Sequence, residues 1–248
     1  KSWRDLGLNR KDRLDLNAAG GTFYGKALRY AFEALDTPLP EVYARPDDPT
    51  LFEQPYRISV ASEPDARTGQ PGAPVVCVEL GAPIVSPRRD EREVTYELAR
   101  LAAFLRNDRV LRTLYGTAPA LGLMIDAAIA LGTGTGGGIN AVGKVAETAQ
   151  SLQRALTPPV LEQVRRIGAT LGEVGVPGEA AANVWLGHSD LTAVRAGLLL
   201  AGDLETVALL LATDPPGTTP LAPKQRLLET IHFTVTEDYF TIRQHLGL

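Results

Sequence analysis

The chain has 248 residues, 44% hydrophobic and 22% charged, which suits one large domain or two small ones and is too apolar for a disordered chain. A formal net charge of −4, with no basic block, argues against nucleic acid as a partner. The single cysteine, Cys77, excludes an internal disulfide and any multi-cysteine zinc site.

Residues 1–20 are polar, mixing helix formers with a glycine stop. Phe23, Ala27, Tyr30, Ala31 and Ala34 recur at helical spacing and predict a helix over 22–35, ended by Pro38 and Pro40. Residues 1–37 read as a helical lead-in or the end of a preceding repeat unit, and 38–248 as the domain proper. Short strands are expected in PEVYARPDD (40–48), YRISVAS (56–62), VVCVEL (75–80) and APIVS (82–86), with a loop over 63–74. Ser86-Pro87 then opens a helix whose Val94, Leu98, Leu101, Ala102 and Leu105 share one face. Its Asp90, Glu91 and Glu93 suit the positive end of the helix dipole.

Helical patterns follow over 109–116, 118–131, 140–156, 158–173, 178–186, 189–200, 203–212, 222–231 and 236–245. The breakers between them are clearest at GTGTGGG (132–138) and TDPPGTTPLAP (213–223). A small sheet followed by many helices predicts an α+β, predominantly helical protein. No run reaches the ~18 apolar residues of a membrane span, and the best stretch, 118–132, is broken by Asp126. A soluble protein is expected, in the cytoplasm by cysteine usage, with the periplasm as the alternative. The chain begins at Lys1 rather than Met, as a processed form or an excised domain would.

Several motifs favour their plainer readings. GINAVGK (138–144) has the glycine and lysine spacing of a phosphate loop, but Val145 stands where Ser or Thr must hold magnesium, so no nucleotide is expected. The three histidines, His188, His232 and His245, include no i, i+4 pair. A composite metal site from His188, Asp190 and His232 is the alternative that ligand chemistry allows. His188-Ser189-Asp190 contains triad residue types, yet adjacency is not triad geometry. Cys77 sits in an apolar strand and reads as an inert core residue. The charged RRDERE (88–93) and TEDYF (236–240) segments read as helix starts.

Taken in order, PEVYARPDDP, VVCVELGAPIVSPRRDEREVTYELARLAAFLRND and DLTAVRAGLLLAGD resemble zinc metallopeptidases of the HtpX, BepA and CAAX-prenyl-endopeptidase type. In that family a helix bearing HExxH supplies two zinc ligands and a general base, and a later helix supplies a glutamate ligand. The resemblance places Arg100 at the first histidine, Leu101 at the catalytic glutamate and Phe104 at the second histidine. It places Asp190 at the distant ligand, Ala193 and Val194 at an Ala-Asp pair, Arg195 at the following arginine and Gly197 at a glycine. The C-terminal stretch also resembles the ends of long tetratricopeptide-repeat proteins of myxobacteria. What this implies is a zinc-free pseudoenzyme with a vestigial site at Arg100, Leu101, Phe104, Asp190 and Arg195, with Arg100 paired to Asp190. Its function would be non-catalytic, a bacterial protein-interaction or scaffold domain in a larger repeat protein, with no cofactor. Its partner would be a protein or a peptide laid along a strand edge in 41–86, beside helix 92–106. The alternatives are a metal-dependent hydrolase using His188, Asp190 and His232, and a structural cap with an apolar face along 1–36.

Overall fold

The computed structural model describes residues 1–17, 21–62, 72–134, 138–214 and 219–248. Most of the expected loop over 63–74, and parts of the segments 132–138 and 213–223, lie outside the described residues. The chain is α+β and mostly helical, and it divides into two compact units.

The first unit takes in residues 1–114 and the chain after Ser189, apart from a short stretch near 217–220. Two short 3-10 turns, Arg4–Leu6 and Arg10–Asp12, precede α1 (Phe23–Ala34), which Thr22 caps by accepting from the Gly25 amide. The strands are β1 (Glu41–Ala44), β2 (Tyr56–Ala61) and β3 (Val75–Leu80). They form one sheet in the order β1-β3-β2. β1 runs parallel to β3 with Glu41 beside Cys77, and β2 runs antiparallel to β3 with Tyr56 beside Leu80. Side chains alternate across this sheet. Val42 and Val78 join Leu28 and Phe32 of α1 and Leu98, Leu101 and Leu105 of α3 (Glu91–Leu105) in the largest apolar cluster. Their neighbours Tyr43 and Cys77 face the other way, onto Trp3 and Leu8.

APIVS is not a strand. It folds as the single-turn helix α2 (Ala82–Val85), because Pro83 suits a first helical turn and the Val85 amide returns to the Gly81 carbonyl. Gly81 itself is pressed between the Gln54 and Leu51 carbonyls, where a Cβ has no room. α4 (Leu111–Leu114) follows α3. The rest of the unit comprises the C-terminal half of α8 (Gly178–Ala201), α9 (Leu204–Thr213), α10 (Pro223–Thr234) and α11 (Glu237–Leu246). Val194, Leu198, Val207, Leu211 and Phe233 of these helices pack with Tyr96 of α3.

The second unit is residues 115–189 with the 217–220 stretch, built from α5 (Ala118–Thr133), α6 (Gly143–Ala155), α7 (Pro158–Val174) and the first half of α8. The α8 amide at Gly178 is capped from within α5, by Asp126 Oδ1 at 2.8 Å, so the one charge in that apolar helix has a structural partner. α8 is continuous where two helices, 178–186 and 189–200, were expected. Gly187 lies buried inside it, and a glycine's cost of ~1 kcal/mol in a helix is smaller than the packing gained on either side. Within residues 1–37, Leu28, Ala31 and Phe32 are part of the main core. No helix is long and apolar enough to cross a membrane, among the described residues.

Candidate functional site

Helical spacing puts Glu97, Arg100 and Phe104 on one side of α3. Opposite them within the first unit stand Arg112 of α4, Asp190 of α8, Asp214 just after α9, and Arg226 of α10. Asp190 and Arg226 are each 1% exposed, a degree of burial that charged groups reach only when paired. Asp190 Oδ1 lies 3.2 Å from Arg112 and 3.7 Å from Arg100, and its Oδ2 lies 3.5 Å from Arg226. Arg100 grips both oxygens of Asp214 at 3.2 Å, and Arg226 reaches Asp214 Oδ2 at 2.5 Å. The Phe104 ring carries Arg112 over it at 4.4 Å and Arg100 at 5.9 Å, and Tyr96 lies 5.3 Å from Arg100.

The charges hold one another in place. Burial works against the cation of Arg100, but Tyr96, Glu97, Tyr56 and Asp214 outweigh it and raise the guanidinium pKa well above the ordinary value. Burial lowers Arg112, with Asp190 opposing. Glu97 is raised: burial dominates, and Arg100 at 3.7 Å offsets only part of that cost. The phenols of Tyr56 and Tyr96 are both pushed up by burial. A carboxylate enclosed by three guanidiniums is a poor cation ligand.

Of the residues that the sequence singled out, Arg100 and Asp190 meet, and Phe104 lies against Arg100. Leu101 faces the opposite way, into the aliphatic core. Arg195 stands elsewhere, 3.6 Å from Glu229 and 5.2 Å from the Phe233 ring. The alternative ligand set of His188, Asp190 and His232 is not assembled. Both histidines are exposed, Asp190 is held by arginines, and no three His, Cys, Asp or Glu come together as a metal-ligand group among the described residues. In His188-Ser189-Asp190 the histidine is exposed while its two neighbours are buried on a helix. The segment before Lys144 follows helix α5 rather than a strand. The Cys77 thiol is buried, and burial with the nearby Glu41 pushes its pKa up to about 11.

Sequence reasoning missed Arg112, Asp214 and Arg226. Only Glu97, one turn before Arg100, carried a local signal. It also missed a cleft of about 930 Å³ where β1 and β3 begin and β2 ends. Leu39, Val42, Val76, Leu105, Val110 and Leu114 give that cleft an aliphatic wall, and Arg10, Lys11 and Arg13 line it as well. Val42 turns its backbone away from β3, since its carbonyl accepts from the Leu14 amide at 2.8 Å. An extended strand turns the two polar groups of a residue to one side, so the Val42 amide points away from β3 as well.

No family model, curated protein or solved structure matches this chain.

Proposed function

We propose that this chain is a non-catalytic interaction domain, built like the zinc peptidases that its element order resembles, which receives an extended polypeptide segment in the cleft beside β1. The observation that carries the reading is this cleft. It is open, mostly aliphatic, and walled by the edge strand β1, whose Val42 carbonyl turns away from β3. Adding a strand at such an edge supplies main-chain hydrogen bonds, while side-chain pockets supply selectivity. The interlocked arginines and aspartates support the non-catalytic half, because they occupy the place that the resemblance gives to zinc and surround Asp190 with three guanidiniums. A position inside a larger repeat protein belongs to the same reading.

An array of peptides of roughly six residues, an ordinary strand length, tests it. The array is probed with the chain and with a Leu39→Arg/Leu114→Arg variant. Both leucines line the cleft and are about half exposed, at 51% and 50%, so their replacement leaves the core intact. Binding by the chain that the variant loses supports the reading, and binding that the variant keeps rejects it.

A further inference from the structure

The cationic side of the cleft deepens this reading and rests on it. Arg10 and Arg13 converge on one oxygen of Glu41, at 3.1 and 3.3 Å. The same carboxylate accepts from Trp3 Nε1 at 2.7 Å and from the Tyr43 hydroxyl at 2.9 Å. Glu41 is thus one buried anion shared by two cations whose side chains stay 56% and 53% exposed. Lys11 adds a third cation on the same rim, and Asp15 is the other acidic residue there. A positive surplus remains. Two of its cations are already aimed, because the shared carboxylate fixes their position before any ligand arrives, which reduces the ordering cost of binding.

We infer that the segment received in this cleft is acidic: an extended peptide whose apolar side chains meet Leu39, Val76 and Leu114 and whose carboxylates meet Arg10, Lys11 and Arg13. Period-two alternation lets one strand present both kinds of side chain, apolar on one side and acidic on the other. The strand's backbone takes the Val42 amide.

Three fluorescent peptides with the same alternating valines test this, carrying Glu, Gln or Lys at the intervening positions. Anisotropy titrations are run on the whole chain and on Lys11→Glu, whose side chain is exposed, and on Leu39→Arg/Leu114→Arg. The Glu peptide is expected to bind roughly fivefold tighter than the Gln peptide, the scale of two exposed ion pairs, and the Lys peptide weakest. The preference should shrink with added salt and in Lys11→Glu, and the Val42 amide should gain protection from hydrogen exchange. Equal binding of the Glu and Gln peptides, abolished by Leu39→Arg/Leu114→Arg, overturns the acidic inference and leaves the cleft reading standing. Binding of none of the three, or binding that the double variant keeps, overturns both.

Discussion

Asp190 shows how far one residue's role depends on its surroundings. Its carboxylate lies within 3.7 Å of three guanidiniums, and it is buried together with Arg100 and Arg226. Breaking a buried pair leaves an uncompensated charge, at a cost of about 3–5 kcal/mol. Asp190→Asn keeps the shape and removes the charge, so it should lower the urea midpoint by a loss of that order. Glu97 behaves oppositely. Its folded-state pKa is raised chiefly by burial, so the folded chain favours the protonated acid. Its contribution is then most favourable below the ordinary carboxylate range near 4.5, and it is lost as the pH climbs through the raised value. Glu97→Gln should accordingly be more stable than the parent chain at neutral pH, with the two converging toward pH 4. Chemical melts at the two pH values check this, and a less stable variant at neutral pH would show that the Arg100 contact outweighs burial. Arg100 and Asp190 were legible as a pair only through the resemblance, which sets them at the places of two zinc ligands. Arg112, Asp214 and Arg226 were not, because each comes from a separate element and only the folded helices bring them together.

At the scale of elements, glycines decide how closely helices approach. In the second unit, a Cβ on Gly168 of α7 would run into the Ala128 carbonyl of α5, and one on Gly132 would meet the backbone of Arg165 and Ala169. Backbone cannot rotate aside as a side chain can, so the two helices would have to separate. Gly168→Ala should therefore destabilise this unit, by about 1–3 kcal/mol as for other overpacked sites, although alanine is the better helix former. Faster amide exchange across α5 and α7 is the readout. In the first unit Gly197 plays the same part, giving the Tyr96 ring its place against α8. Most helices were readable because a 3.6-residue period survives wherever one face is buried, as in α1 and α3. The join at Gly187 was not, because a lone glycine looks the same whether it ends a helix or lies buried inside one. APIVS failed for a related reason, since four apolar residues carry no period at all and the confinement of Gly81 comes from residues thirty positions earlier.

On the scale of the molecule, long-range ties give the first unit its closure. The strand order was hidden from local pattern, because β2 lies between β1 and β3 in sequence yet pairs on the far side of β3. The N-terminal stretch is drawn onto that sheet by Glu41, which bonds Trp3, Arg10 and Arg13 across 28 to 38 residues of chain, and by the Ser62 amide donating to the Lys1 carbonyl. Burial opposes the Glu41 anion, but the bonds from Trp3, Tyr43 and Arg10 outweigh it, and its pKa is lowered. A lowered folded-state pKa means stability that is present above the ordinary value near 4.5 and lost as the pH falls through the folded one. Glu41→Gln should then cost about 1–3 kcal/mol at neutral pH, the scale for a hydrogen bond to a charged group, and progressively less under acid. Trp3 reports on it directly. In a Trp185→Phe background its emission should shift to the red in Glu41→Gln at neutral pH, as the indole exchanges a charged acceptor for a weaker neutral one and meets water, and the parent chain should show the same shift only on acidification. An unshifted Trp3 in Glu41→Gln would mean that apolar packing against Leu8 and Tyr43 holds the N-terminal stretch without the carboxylate, and that Arg10 and Arg13 reach the cleft for some other reason.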